Sequence, residues 1–239
     1  MRALLLAFAL SAAAVQAVPA GAQDAAVVPA DRATALAERV LEPWISPSAQ
    51  AQFAKAGFEA GLASDADAAA MLKEHPGLRE DLLAAIEAEV RRAAPAQNAG
   101  FVKIVADIYR MRLTAAEIEA LHSFYGTATG RKMMGAAMGA FDEKALVGEI
   151  VANQAVTLET MTKASDAAKQ KAMGSIGLDD EAALTALGAA VAKDKMEAVS
   201  AEVAKVSVEW GNKPTPELDA AIGAAVQKVM ARYGLSSEG

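Results

Sequence analysis

Along this chain the apolar residues recur mostly three or four positions apart, which is the spacing of one face of an α-helix. The clearest stripe consists of Phe101, Ile104, Val105, Ile108 and Met111. Weaker stripes lie on both sides of it, and short joints containing proline, glycine, serine or threonine separate them. Successive helices with short joints predict an all-α protein, folded as an antiparallel helical bundle with a C-terminal helical appendage.

Proline and hydroxyl side chains indicate where several helices begin and end. Ser46-Pro47 and Thr215-Pro216 each place a capping side chain before a proline at the first helical position, so a helix is predicted to start at each. Pro43 is predicted to end the first helix, and Pro95 to end a helix that starts at Leu78.

The segment from Arg131 to about Met173 contains no strong helix breaker. Glycine weakens a helix by about 1 kcal/mol relative to alanine. Three glycines, Gly135, Gly139 and Gly148, lie in the first part of this segment. This pattern predicts either one long helix or two helices joined by a kink near Gly148.

A tight corner is predicted between the stripe that ends near Met111 and the segment that follows. Thr114 and Glu117 have the spacing of a capping box, in which each side chain binds the other residue's backbone amide, so a helix should start here. Leu113 lies just before the cap, where it can form a hydrophobic staple. Gly126 and Gly130 enclose a short break, which predicts helix, tight corner, helix.

The residues of this corner resemble a bacterial family. Its signature, LTxxEL…L..FY.(S/T)P.GxK, is that of domain of unknown function 2059, and it is matched by Leu113-Thr114, Glu117, Leu121, Phe124-Tyr125, Gly130 and Lys132. The chain departs from it at Gly126, where a larger polar residue is usual, and at Ala128-Thr129, where a proline is common. The resemblance covers about residues 101–145. It implies a mostly helical, exported domain, and it supplies no catalytic residues because the family has no established activity.

The N-terminus has the pattern of a secretory signal peptide. Met1-Arg2 is a short positive segment, an apolar run extends from Ala3 to Ala14, and the small residues up to Ala22 form a cleavage site before Gln23. Residues 1–22 are therefore predicted to be removed, and the mature chain to be periplasmic or secreted. No later segment is apolar enough to predict an integral membrane span.

The predicted mature chain divides into three parts. Residues 23–30 form a small-residue spacer, expected to be disordered. Residues 31–174 are predicted to form the helical bundle that contains the corner, and residues 175–239 a C-terminal helical unit.

The absence of cysteine and the negative net charge limit the classes of function that fit this chain. The chain has no cysteine, so its stability in an oxidising compartment must come from an apolar core. Its formal charge of −7 becomes 22 − 30 = −8 when Arg2 leaves with the signal peptide. An acidic chain without basic blocks is not expected to bind nucleic acid.

Few residues are suited to catalysis. The two histidines are His75 and His122, and no zinc-protease, phosphate-loop or dinucleotide-binding motif is present. Carboxylate pairs such as Asp179 and Asp180 fit solvated helix faces and caps. We therefore expect a protein that is not an enzyme and needs no cofactor.

The candidate ligand or partner residues lie in and just after the corner, and they are His122, Phe124, Tyr125, Met134 and Met138. Two thioethers one helical turn apart with a nearby imidazole would suit Cu(I). Methionine also fills alanine-rich cores and adaptable binding grooves, which is the more ordinary use. Phe124 and Tyr125 would lock the corner or form the wall of a pocket.

Two functions fit these observations. The first is an interaction or scaffold module that presents a helical face to another envelope protein or to a second copy of itself. The alternative is a carrier that holds an apolar small molecule in a groove lined by methionine and alanine between helices.

Overall fold

The computed structural model describes residues 31–140, 143–153 and 155–235. The predicted signal peptide (residues 1–22), the predicted spacer (residues 23–30) and residues 236–239 lie outside this part. Throughout the described residues the secondary structure is helical or turn, without a β-strand, so the predicted all-α class is confirmed. None of the helices in this part combines the length and the hydrophobicity that crossing a membrane requires.

The helices are numbered in chain order. They are α1 (Arg32–Ile45), α2 (Pro47–Ser64), α3 (Ala66–Glu74), α4 (Leu78–Arg112), α5 (Ala115–Gly126), α6 (Ala128–Met138), α7 (Glu143–Asn153), α8 (Leu158–Gly174), α9 (Glu181–Ala190), α10 (Lys193–Gly211) and α11 (Pro216–Arg232). A short 3-10 helix, Leu178–Asp180, precedes α9.

The long helix α4 is the element on which the others pack. It has 35 residues and is therefore roughly 50 Å long. Helices α1, α2, α10 and α11 all contact it, and α5 packs on α1. This arrangement is a helical bundle around one long member.

Two separate apolar cores lie along α4. The N-terminal core is formed by the first half of α4 with α2 and α11, and its buried members are Ala54, Phe58, Leu78, Leu82, Ile86, Val90, Leu218, Ile222 and Val229. The corner core is formed by the second half of α4 with α1, α5 and α10, and its buried members are Ala33, Leu36, Ala37, Leu41, Val102, Val105, Ala106, Ile108, Tyr109, Leu113, Ile118, Leu121, Val191 and Val199.

A polar contact lies between the two cores. Gln50 Nε2 donates to Asn98 Oδ1 at 2.7 Å, and Asn98 Nδ2 donates to the Ile45 carbonyl oxygen at 2.8 Å. These bonds join α2 and the end of α1 to the middle of α4, where the apolar stripe is interrupted.

The predicted starts of α2 and α11 are confirmed, but the predicted effects of two prolines were wrong. Pro43 lies inside α1 and Pro95 lies inside α4, so neither ends its helix. A proline inside a helix removes one backbone hydrogen bond and costs about 3 kcal/mol. In α4 this cost is offset because the helix is buried on both sides of Pro95, at Val90 and Ala94 before it and at Val102 and Val105 after it.

The prediction of one or two helices over residues 131–173 was also wrong, because this segment contains α6, α7 and α8. The break before α8 depends on a distant residue: Asn212 Oδ1 accepts from the Val156 amide at 2.8 Å, and Asn212 Nδ2 donates to the Val156 carbonyl oxygen at 2.7 Å. Thr157 then caps α8 by accepting from the Thr160 amide at 3.1 Å. Both backbone groups of Val156 are thereby used outside a helix.

Met111 also departs from the predicted apolar stripe, since it is 68% exposed at the end of α4.

The division of the chain into residues 31–174 and 175–239 stays a prediction. Helices from both parts contribute to both cores, as Val199 of α10 and Ile222 of α11 do.

Candidate functional site

The corner begins with the predicted capping box, which is confirmed. The Thr114 amide donates to Glu117 Oε2 at 2.7 Å, and the Glu117 amide donates to Thr114 Oγ1 at 3.3 Å. Lys195 of α10 adds a partner that the sequence did not predict, because its Nζ lies 2.7 Å from Glu117 Oε1 and 3.0 Å from Oε2. The start of α5 is therefore attached to α10 as well as capped.

These contacts change the acidity of Glu117. The hydrogen bond from Lys195, followed by that from the Thr114 backbone, lowers the pKa of Glu117 from 4.5 to about 2. The carboxylate is therefore ionised at neutral pH.

The turn itself occupies a single residue, Thr127, between α5 and α6. Its Oγ1 accepts from the Gly130 amide at 3.0 Å and donates to the Phe124 carbonyl oxygen at 2.7 Å. Gly130 lies in the first turn of α6 rather than after the break. A Cβ at Gly130 would lie 2.2 Å from the Phe124 carbonyl oxygen and 2.7 Å from Tyr125 Cα, so only glycine fits this crossing.

Two arginines complete the C-terminal end of α5. Arg39 Nη1 donates to the His122 carbonyl oxygen at 2.6 Å, and Arg131 Nη1 donates to the Gly126 carbonyl oxygen at 2.6 Å. The last carbonyls of a helix lack intrahelical partners and carry partial negative charge, so the Arg131 cation is favourable at Gly126, and Arg39 binds the chain about one turn earlier. The Arg39 guanidinium also covers Gly126, where an added Cβ would lie 2.8 Å from Nη1.

This corner lies within a segment that matches a known family. Residues 101–157 match the family model described as "Uncharacterized protein conserved in bacteria (DUF2059)". The resemblance predicted from the sequence is confirmed. No curated protein and no solved structure matches the chain. The DUF2059 segment extends from the second half of α4 to the joint before α8.

The structure places the predicted ligand or partner residues of the DUF2059 segment in different surroundings. Phe124 is buried and packs edge to face against Tyr125, with ring centroids 5.4 Å apart. His122, Tyr125, Met134 and Met138 are half-buried. The pair of aromatic rings therefore contributes to the packing at the end of α5.

His122 and Tyr125 both show the effect of burial on their ionisation. Partial burial, followed by the positive charges of Arg39 and Arg32, lowers the pKa of the His122 imidazole, and burial raises the pKa of the Tyr125 phenol.

Among the described residues, no group of three or more His, Asp or Glu side chains is arranged to hold a metal ion.

Sequence reasoning missed a polar cluster in which the DUF2059 segment is joined to the C-terminal helices. Asp180 is buried, so its interpretation as a solvated carboxylate was wrong, whereas its interpretation as a capping carboxylate is confirmed. Its Oδ1 accepts from Thr129 Oγ1 at 2.8 Å, and its Oδ2 accepts from Lys132 Nζ at 2.7 Å and from the Gly177 amide at 2.9 Å. Thr129 and Lys132 are three residues apart on α6 and thus face one side. Their spacing in the sequence indicates that the two side chains could bind one group, but it does not indicate that this group is Asp180.

The three donors around Asp180 lower its pKa from 3.8 to about 2, with the Gly177 amide as the largest cause. Asp180 therefore resembles Glu117: each is a carboxylate held ionised by fixed donors from two elements. One attaches α5 to α10, and the other attaches α6 to the segment before α9.

A groove of about 600 Å³ lies between α6 and α8. Its last lining residue, Ser175, precedes Asp180 by five positions. The groove is lined by Ala136, Ala140, Ala167, Gln170, Lys171, Gly174 and Ser175. Met134 and Met138 are not among its lining residues. A second groove, of about 700 Å³, lies where residues 92–97 of α4 face residues 213–221 at the start of α11.

We expect stability to fall between about pH 4.5 and pH 2 because of Glu117 and Asp180. Their pKa values are lower in the folded chain than their ordinary values, so their contribution is present above the ordinary values and is lost as the pH falls towards 2. Thermal unfolding of the Glu117→Gln, Asp180→Asn double variant should show a lower melting temperature at pH 7 and a smaller decrease below pH 4.5.

The matched control removes the same number of charges at the exposed Glu209 and Asp166. Its melting temperature should follow the pH dependence of the unmodified chain. A double variant at Glu117 and Asp180 that keeps the full decrease would contradict this assignment.

Proposed function

We propose that this protein is a non-catalytic binding module that contacts a partner protein through an exposed apolar surface beside the α6–α8 groove. This surface, the apolar tip, consists of Met173, Ile176 and Leu178. Its most exposed member, Leu178, is 90% exposed, and Met173 is 61% exposed. Burying one such side chain contributes about 1.5–3 kcal/mol, which is a strong drive towards association.

The observation that carries the proposal is that Leu178 is exposed on a segment held in place. Asp180, two residues later, is buried and accepts three hydrogen bonds, and the Asp180 amide donates to the Gly177 carbonyl oxygen at 3.0 Å. A partner that binds an already ordered segment loses less conformational entropy on binding. The Asp180 cluster therefore presents Leu178 for contact.

The unusual carboxylates support a non-catalytic role. A catalytic acid or base needs a pKa near the working pH and an approach for substrate. The pKa values of Glu117 and Asp180 are instead lowered to about 2 by donors from neighbouring helices, which suits attachment. The signal-peptide pattern of residues 1–22 supports a binding role in the periplasm or outside the cell.

A carrier of an apolar small molecule is the second candidate, favoured by the α6–α8 groove. Four of its lining residues, Ala136, Ala140, Ala167 and Gly174, present little more than methyl groups or backbone. A carrier would retain a ligand of a few hundred daltons through purification, whereas the binding module would not.

Photocrosslinking at the apolar tip tests the binding module. A photoreactive phenylalanine analogue at Leu178 should give discrete crosslinked protein bands in cells that export the chain. The control places the same analogue at Met111, which is similarly exposed at the end of α4. Equal crosslinking at both positions, or none at Leu178, would contradict a partner surface at the tip.

A further inference from the structure

We propose that the partner of the apolar tip is a second copy of this chain, related to the first by a two-fold axis. This inference rests on the proposed binding role, and it adds the identity of the partner. It follows from the charges that flank the tip and from the groove beside it.

Charges of opposite sign precede and follow the apolar tip in the sequence. Lys171 precedes it on α8, and Asp179 and Glu181 follow Leu178. All three are exposed, and within the described part of the chain none of them makes an ion pair or a side-chain hydrogen bond. Two copies that meet at the tip in opposite directions would bring the cation of each beside the anions of the other.

The α6–α8 groove offers a place for the exposed leucine of the other copy. Leu178 follows the lining residue Ser175 by three positions, so their Cα atoms are at most about 11 Å apart. Leu178 is therefore a near neighbour of the groove, and the proposed dimer uses the two as parts of one surface. In a two-fold dimer, Leu178 of each copy enters the alanine-lined groove of the other, and Lys171 of each copy faces Asp179 of the other.

Placing both features on one surface also limits the assembly to two copies. An apolar side chain and its complementary pocket on distant surfaces generate open fibres, whereas the same pair on one surface closes into a dimer. The expected assembly is therefore a dimer that does not grow further.

The first test is the oligomeric state of the purified chain, residues 23–239, by analytical ultracentrifugation between about 1 and 100 μM. We expect a monomer–dimer equilibrium. Leu178→Ala should raise the dissociation constant at least about tenfold, because it removes the apolar side chain that enters the groove. Met111→Ala, a truncation of another exposed apolar side chain at the end of α4, should leave it unchanged.

The second test uses charge reversal to show that the contact is intermolecular. Lys171→Glu alone and Asp179→Lys alone should each be monomeric, because each homodimer would contain two like-charge contacts. An equimolar mixture of the two variants should form heterodimers, since both contacts then join opposite charges. No arrangement within one chain produces this result.

A matched control is Lys228→Glu, which makes the same charge change on α11. Its dissociation constant should equal that of the unmodified chain, and it should pair with Asp179→Lys more weakly than Lys171→Glu does, because one of the two contacts still joins like charges. A monomer at every concentration, or a mixture that stays monomeric, would overturn the dimer. Crosslinking of Leu178 to a different protein would overturn it while leaving the binding role intact, and absence of both would overturn the two together.

Discussion

Replacing Gly130 with alanine is expected to lower the free energy of unfolding by about 3 kcal/mol. The added Cβ would lie 2.2 Å from the Phe124 carbonyl oxygen and 2.7 Å from Tyr125 Cα, and both atoms belong to backbone that cannot rotate away. The crossing of α5 and α6 would have to open to admit it. Urea unfolding monitored by circular dichroism measures the change.

The matched control is Gly135→Ala on the same helix, where an added Cβ meets nothing within 4 Å. Here alanine should raise the free energy of unfolding by about 0.5–1 kcal/mol, because it is the better helix former. Two substitutions of the same type, five residues apart, are thus expected to have opposite signs. Equal effects would show that the corner does not require close approach at Gly130.

Truncating Ile222 to alanine should cost about 2–5 kcal/mol, and this cost should be coupled to that of Ile86→Ala. Ile222 of α11 and Ile86 of α4 are both buried in the N-terminal core, with exposures of 1% and 0%. If α11 is part of the same cooperative unit as α4, each variant should lower one shared unfolding transition.

The double variant at Ile86 and Ile222 then distinguishes the two ways of dividing the chain. Non-additive costs in one transition would mean that residues 175–239 are not a separate unit. A second transition that Ile222→Ala alone shifts would support the division at residue 174. Surface truncation at Leu158, which is 52% exposed, serves as the control and should cost little.

The parts of the fold that depend on nearby residues could be predicted from the sequence. The capping box of Thr114 and Glu117 uses groups three residues apart, and Ser46-Pro47 defines a helix start without help from elsewhere. The apolar stripe of α4 likewise reflects its own periodicity. Short-range geometry is sufficient in each case because the partners are fixed by the helix itself.

The parts that depend on distant partners could not be predicted in the same way. Val156, in the joint between α7 and α8, stays outside a helix because Asn212, 56 residues later, binds both of its backbone groups. Pro95 stays helical because the burial of apolar side chains before and after it contributes more free energy than the proline costs. The sequence shows the proline but not this burial. Asp180 is buried because Thr129 and Lys132 of α6 bind its carboxylate. The sequence contains many other carboxylates, and nothing near Lys132 indicates which of them it would bind.

Because both cores share α4, the stretch between them fixes their relative orientation as well as their distance. Each residue of an α-helix advances about 1.5 Å and turns about 100°. Inserting or deleting one residue between Val90 and Val102 would therefore turn the corner core by roughly a quarter of a revolution relative to the N-terminal core. Exposed positions in this stretch can vary in residue type without changing that orientation, whereas a change in its length cannot occur without changing it.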